Sequence, residues 1–124
     1  MRLLRFGIVA AALAFGAAAV SPRAAQQACV SGAALTPEQK ARRSQLIGLA
    51  RDVNNQQLRA MNASSSYQPL ASLPLTRPVP EGIESKLAAE PTTYAFSIVD
   101  TTDACRSGVF SNETGLIYTG QALQ

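Results

Sequence analysis

Residues 36–39 read Thr-Pro-Glu-Gln, and this stretch determines where the fold begins. A hydroxyl residue, a proline after it and a glutamine three residues on form a capping box at the start of a helix. Apolar residues then recur with a helical period over residues 37–62. The expected apolar face holds Leu46, Leu49, Ala50, Val53, Ala60 and Met61, with Ile47 and Leu58 at its edge. The expected opposite face holds Asp52, Asn55, Gln56 and Arg59. The sequence predicts one long amphipathic helix.

The segment after this helix is rich in proline between residues 69 and 80. A structureless connector of this length is uncommon in a compact domain. We therefore expect its leucines, Leu70, Leu73 and Leu75, to pack across the helix. Residues 83–87 fit a short helix or a strand, and the strand, with Ile83, Ser85 and Leu87 on one face, is favoured.

The last third of the chain has the pattern of β-structure. Residues 94–99, Tyr-Ala-Phe-Ser-Ile-Val, alternate large and small side chains and are rich in strand formers. Residues 108–111 and 116–119 flank residues 112–115, which is the spacing of a four-residue hairpin loop. The predicted fold class is α+β: one long N-terminal amphipathic helix packed on a three- to four-stranded antiparallel β-meander, after a cleaved signal peptide.

The N-terminus has the order of a secretory signal peptide. Met-Arg-Leu-Leu-Arg precedes an apolar run over residues 6–20, in which Ala17 and Ala19 offer an Ala-x-Ala cleavage site. A membrane anchor is the competing interpretation, but the run is short, mostly Ala, and ends at Ser21-Pro22. The predicted organisation is a signal peptide (1–19), an N-terminal arm (20–35) and a single α+β domain (36–124). The mature chain is expected to be periplasmic or secreted, without a membrane span.

The two cysteines, Cys29 and Cys105, both lie in the expected mature part. An even count in an oxidising compartment predicts a disulfide between them. Such a bond closes a loop of about 77 residues, for which the chain-entropy model gives about 4 to 5 kcal/mol of stabilisation. A reactive thiol is the alternative, but the sequence contains no Cys-x-x-Cys pair.

The charge of the chain argues against a nucleic-acid partner. The formal charge of +3 falls to +1 when Arg2 and Arg5 leave with the signal peptide. Five cations lie on the predicted helix: Lys40, Arg42, Arg43, Arg51 and Arg59. At 100° per residue only Lys40, Arg43 and Arg51 share a face. A solvated helix face is therefore favoured over a nucleic-acid patch.

The sequence contains no histidine, which is the usual base for a serine or cysteine nucleophile and the commonest neutral metal ligand. Zinc would need two distant cysteines plus carboxylates, so no metal and no cofactor is predicted. Asp100 and Asp103 lie in a predicted turn beside Cys105, where they could act as acid and base or bind calcium. Capping of the turn is favoured, because the stretch lacks the spacing of an EF-hand. No catalytic residue is assigned.

Part of the chain resembles a known family. The stretch from Tyr94-Ala95-Phe96-Ser97 through Asp103-Ala104-Cys105 to residues 110–118, Phe-Ser-Asn-Glu-Thr-Gly-Leu-Ile-Tyr, resembles the C-terminal half of soluble heads in bacterial type IV pilin-like and pseudopilin proteins. The likeness covers residues 44–119 and implies a helix laid across an antiparallel sheet. The family's prepilin leader, cut after Gly and followed by Phe-Thr-Leu-Ile-Glu, does not occur in this sequence.

These patterns predict an exported, non-enzymatic protein that binds an unknown protein partner in the cell envelope or contributes to an envelope or surface assembly. Two alternatives stay open. A small inhibitor of a secreted enzyme would insert the loop at residues 74–80 or the hairpin tip at residues 112–115. A carboxylate-dependent hydrolase would use Asp100 and Asp103, and would need a pocket around them and a raised carboxylate pKa.

Overall fold

A computed structural model of the chain describes Cys29 and residues 35–121. Within residues 35–121 a long α-helix, α1, precedes a sheet of four strands. The helix spans Pro37–Ser64, and the strands are β1 (Ile83–Ala89), β2 (Tyr94–Asp100), β3 (Ser107–Asn112) and β4 (Tyr118–Gln121). The strands pair in the order β1-β2-β3-β4, and all three pairings are antiparallel. The predicted α+β class, with one helix on an antiparallel meander, is confirmed; the helix precedes the sheet but does not begin at the chain's N-terminus.

The capping box at the start of α1 forms as predicted. The Thr36 hydroxyl accepts a hydrogen bond from the Gln39 backbone N–H at 3.2 Å, and the Gln39 side chain accepts the Thr36 N–H at 2.9 Å. Both donors would otherwise lack a partner in the first turn. The helix ends at Ser64, and Ser65 adopts a left-handed φ of 56° while its N–H bonds to the Met61 carbonyl at 2.8 Å.

The core lies between α1 and one face of the sheet. Its buried members are Leu46, Leu49, Ala50, Val53, Leu73, Tyr94, Phe96, Ile98 and Val109. Burying a side chain such as Leu46 or Leu49 contributes about 1.5 to 3 kcal/mol each. The connector behaves as predicted, because Leu73 is buried and Leu70 and Leu75 pack against the core.

The strand predicted at residues 83–87 is confirmed as β1. Its register pairs Ser85 with Ile98 and Leu87 with Phe96. Ile98 and Phe96 belong to the core, so the odd-numbered residues of β1 share the face that α1 covers.

Two polar residues of α1 lie in a different environment from the one predicted. Asp52 and Gln56 were expected opposite the apolar face, but they are only 6% and 4% exposed. The Asp52 carboxylate accepts the backbone N–H groups of Thr76 at 2.6 Å and Arg77 at 3.0 Å. The prediction is wrong because the connector folds over this side of the helix and supplies the donors. Burial alone would raise the pKa of Asp52, but these hydrogen bonds outweigh it and lower the pKa.

A second polar contact fastens the beginning of the connector. Gln57 is fully buried, and its amide exchanges two hydrogen bonds with the backbone of Gln68, at 2.7 and 2.9 Å. A buried amide is tolerated when its donor and acceptor both find partners. Gln57 therefore links α1 to the beginning of the connector through two hydrogen bonds.

The last hairpin is shifted from its predicted position. β4 begins at Tyr118, which pairs with Phe110, so the β3–β4 loop comprises residues 113–117 and not residues 112–115. The Ser111 hydroxyl donates to the Leu116 carbonyl at 2.7 Å. That bond holds Leu116 outside the strand ladder and lengthens the loop.

Within Cys29 and residues 35–121, no helix combines the length and the apolar character needed to cross a bilayer. The predicted signal peptide at residues 1–19 lies outside the described residues. So do residues 122–124 and all of the predicted arm except Cys29 and Leu35.

Candidate functional site

The end of the domain where α1 begins is tied by a disulfide. Cys29 and Cys105 are bonded to each other, with 5.6 Å between their Cα atoms, which confirms the predicted pairing. The bond joins a residue ahead of α1 to the turn between β2 and β3. The Gln121 side chain also donates to the Cys29 carbonyl at 2.8 Å, so the same residue is linked to the end of β4.

An ion pair joins α1 to the end of β2. The Arg42 Nε and Nη2 atoms each lie 2.9 Å from one oxygen of Asp100, which is a bidentate contact. Asp100 is buried and also accepts the N–H and the hydroxyl of Thr102, at 3.0 and 2.6 Å. The hydrogen bond from Arg42 holds the pKa of Asp100 well below its usual range, despite the opposing effect of burial. A carboxylate in this state stays ionised and cannot serve as a general acid near neutral pH.

Asp103, the second predicted acid–base candidate, caps its own turn. Its two carboxylate oxygens accept the backbone N–H groups of Cys105 at 3.0 Å and Ser107 at 3.3 Å. This is the capping role that the sequence favours. We define the disulfide end as Cys29, Cys105, Arg42, Asp100 and Asp103.

Both carboxylates line a cavity of about 680 Å³ between the start of α1, the start of β3 and the end of β4. Ligand pockets typically measure about 300 to 1,000 Å³. Its wall combines Leu35 and Leu46 with Glu38 and Arg43, next to the disulfide. Across the part of the chain that the structure describes, no three His, Cys, Asp or Glu side chains converge as a metal site would require. The cavity therefore brings Asp100 and Asp103 to one place, each already occupied by structural hydrogen bonds.

The predicted cationic face of α1 is divided by the structure. Arg43 donates to the Thr119 hydroxyl of β4 at 2.8 Å, and Arg42 is paired with Asp100. Lys40 and Arg51 are exposed. Two of the helix cations thus fasten the sheet, which leaves a smaller cationic surface than the sequence suggests.

The opposite end of the domain is held by a neutral cluster centred on Asn54. The Asn54 amide donates to the Ser111 hydroxyl at 3.0 Å and the Gly115 carbonyl at 3.2 Å, and its oxygen accepts the Tyr94 hydroxyl at 2.8 Å. The Tyr94 ring packs between Tyr67 and Phe96. Burial raises the pKa of Tyr94 to about 12, so its hydroxyl remains a donor.

The β3–β4 loop at this end is internally hydrogen-bonded. The Asn112 side chain accepts the N–H and the hydroxyl of Thr114, at 3.1 and 2.7 Å, and the Asn112 carbonyl accepts the Gly115 N–H at 2.9 Å. Gly115 has a φ of 74°, a conformation that favours glycine. Leu116 is nevertheless 59% exposed. We define the hairpin end as Asn54, Tyr94, Ser111 and residues 113–117.

The structural roles of Arg42 and Asn54 are not predicted by the sequence patterns described above. Arg42 lies four residues before Leu46, on the same side of the helix, and this spacing could have placed it towards the sheet. Asn54 gives no comparable signal, because its partners Ser111 and Gly115 are distant in the sequence.

The face of the sheet turned away from α1 forms a second candidate surface. The Phe110 ring covers Gly108 and Gly120, lying 3.6 and 3.5 Å from where a Cβ atom of each would be. A groove of about 360 Å³ on this face is bordered by Glu84, which forms ion pairs with Lys86 at 2.9 Å and Arg106 at 3.7 Å. One carboxylate thus faces two cations, and the groove keeps a small net positive charge.

No protein-family model, no curated protein and no solved structure matches this chain.

Proposed function

We propose that the chain is an exported, non-enzymatic protein that works by binding another protein in the cell envelope or outside the cell. The observation that carries this proposal is the state of Asp100. Its carboxylate lines the large cavity but is held by a bidentate contact with Arg42 and by Thr102. A carboxylate hydrolase needs one carboxyl group with a raised pKa as its general acid, and Asp100 does not fill that role because its pKa is lowered.

Two features support export. The Cys29–Cys105 disulfide is of the kind that persists in oxidising compartments and is rare in the cytosol. Residues 1–19 have the charged, apolar and small-residue order of a signal peptide. Together they favour a periplasmic or secreted protein.

Assembly in the envelope, with a pilin-like head, is the form of binding that the resemblance over residues 44–119 favours. The helix laid across an antiparallel meander has the coarse architecture that this resemblance implies. Fold alone does not define function. The pilin-like assembly role therefore remains a proposal.

A small inhibitor of a secreted enzyme is the second candidate. The hydrogen-bonded β3–β4 loop favours it, because an inserting loop must hold its shape without the partner. The loop at residues 74–80 is the other predicted inserting element, and Asp52 holds the backbone N–H groups of Thr76 and Arg77 within it. An inhibitor would form a one-to-one complex that abolishes the activity of its target.

Export is tested by fusing residues 1–35 to a reporter enzyme that is active only outside the cytoplasm. The proposal predicts an active reporter, and it predicts that Leu13→Arg, which interrupts the apolar run, abolishes the activity. Equal activity in the two fusions, or an inactive wild-type fusion, would contradict export through this leader.

Binding is tested by gel filtration of the exported fraction under native conditions. The proposal predicts that the protein elutes in a complex with a second protein at a fixed ratio. Elution at the position of the purified chain would contradict the binding role.

A further inference from the structure

We infer that the β3–β4 loop is a protein-docking element whose anchor is Leu116, and that its partner is a folded protein with an apolar pocket rimmed by Lys or Arg. This inference rests on the proposed binding function and names its surface. Three features of this end support it: the hydrogen-bonded loop, the exposed apolar side chains, and the negative charge of the two turns.

The loop is fixed before any partner binds. Asn112 closes it from one side through Thr114 and the Gly115 N–H, and Asn54 of α1 holds the Gly115 carbonyl at 3.2 Å. The Ser111 hydroxyl holds the Leu116 carbonyl at 2.7 Å. Ordering a flexible loop on binding costs free energy, and a preorganised loop avoids most of that cost.

Two exposed leucines flank the contact between α1 and the loop. Leu58 lies four residues after Asn54 and therefore on the same side of α1, while Leu116 follows Gly115 directly. Each leucine is 59% exposed. Exposed apolar side chains on a rigid support are typical of interaction surfaces. Leu116 lies in the loop itself whereas Leu58 lies on the helix, so we take Leu116 as the side chain that would enter a pocket.

The charge of the two turns at this end indicates the rim of the partner's pocket. The register of the sheet brings the β1–β2 turn, residues 90–93, to the same end as the β3–β4 loop. Each turn carries one charged residue, Glu90 and Glu113, and both are exposed. Neither takes part in an ion pair among the residues that the structure describes. A partner with Lys or Arg around its pocket would complement these carboxylates.

The test begins with wild-type protein immobilised and exposed to the exported fraction of its own host. Each retained protein is then produced in pure form and titrated against the wild type and three single variants. Leu116→Asp places a charge at the anchor, and Glu113→Lys reverses the charge of the loop. Val79→Asp is the matched control, because Val79 is an exposed apolar residue of the connector, 47% accessible, that lies outside the hairpin end.

The expected result is a partner whose dissociation constant rises about tenfold or more with Leu116→Asp. Glu113→Lys should weaken binding and reduce its salt dependence, while Val79→Asp leaves the dissociation constant unchanged. Because all three positions are exposed, unchanged far-UV circular dichroism and melting temperature should accompany these effects.

Two outcomes separate the failure of this inference from the failure of the proposed function. A purified partner that binds Leu116→Asp and wild type equally would overturn the docking role of the loop and leave the binding function standing. If no pure candidate binds the wild type, both the inference and the binding function are contradicted.

Discussion

The disulfide end and the hairpin end are fastened to the same helix by different chemistry. At the disulfide end a covalent bond and the Arg42–Asp100 ion pair tie α1 to the sheet. At the hairpin end the fastening is neutral, through Asn54, Tyr94 and Ser111. Reductant and acid therefore act on one end, while the other end depends on hydrogen-bond geometry alone. This difference separates the groups that stabilise the domain from the loop that we propose it presents to a partner.

The helix makes the two ends independent. Arg42 and Asn54 lie twelve residues apart on α1, which corresponds to about 18 Å along the helix axis. Their partners, Asp100 and Tyr94, lie at opposite ends of β2. Substitutions at sites this far apart, without shared partners, are expected to have additive effects on stability.

The largest expected effect comes from removing the disulfide. The Cys29→Ser, Cys105→Ser double variant should lose about 4 to 5 kcal/mol of unfolding free energy, because the unfolded chain regains the entropy of a long open loop. Urea titration of the wild type with and without reductant measures the same quantity. The double variant is the control and should not respond to reductant. A wild type that unfolds identically under both conditions would contradict the pairing.

The second-largest effect is expected from a substitution that disrupts the hairpin end. Asn54→Ala removes three hydrogen bonds, to Ser111, Gly115 and Tyr94, and leaves the buried Tyr94 hydroxyl without its acceptor. We expect a loss of about 2 to 3 kcal/mol in unfolding free energy. Asn55→Ala, at an exposed position one residue further along α1, is the matched control and should change stability by less than about 0.5 kcal/mol. Equal losses of stability in the two variants would contradict a stabilising role for the Asn54 hydrogen bonds.

The third prediction is that acid pH weakens the contribution of the disulfide end to stability and leaves that of the hairpin end unchanged. The folded-state pKa of Asp100 is lowered from an ordinary value of 3.8, so its ion pair stabilises the protein above that value. This stability is lost as the pH falls from the unfolded-state pKa through the folded-state pKa, and amounts to about 2 kcal/mol.

Unfolding of the wild type and of Asp100→Asn should therefore be compared from near-neutral to strongly acidic pH. The gap in stability between them is expected to narrow as the pH falls. The gap between wild type and Asn54→Ala should stay constant over the same range. A constant gap for Asp100→Asn would show that the ion pair contributes nothing to the acid response.

The smallest expected effect is that of Tyr94→Phe. This substitution keeps the ring between Tyr67 and Phe96 and removes only the hydroxyl bond to Asn54. We expect a loss of about 1 kcal/mol in unfolding free energy. In a double variant with Asn54→Ala the two losses should be less than additive, because they share one hydrogen bond. Fully additive losses of unfolding free energy would contradict the hydrogen bond between Tyr94 and Asn54.

Local patterns were sufficient to predict most of the fold. The capping box at Thr36 placed the start of α1 at the observed residue, and alternation over residues 94–99 identified β2. The cysteine count predicted the bond between Cys29 and Cys105. Each of these features depends on neighbouring residues or on a single pairing, so no knowledge of distant contacts is needed.

The polar details of the site could not be predicted in the same way. Periodicity places Asp52 with the solvent-exposed residues, because nothing local reveals that Thr76 and Arg77 will supply donors from the connector. The β3–β4 loop was predicted one residue too early at its start and two too early at its end, because the bond from Ser111 to the Leu116 carbonyl overrides the hairpin spacing. Hydrogen bonds between distant segments decide both cases.

The central claim, an exported protein pinned by one disulfide, is tested most directly by the mass of the mature protein. The protein is purified from the exported fraction of its host and alkylated with and without prior reduction. The account predicts a mass that starts near Val20 and gains two labels only after reduction. An intact N-terminus, or two labels without reduction, would contradict it.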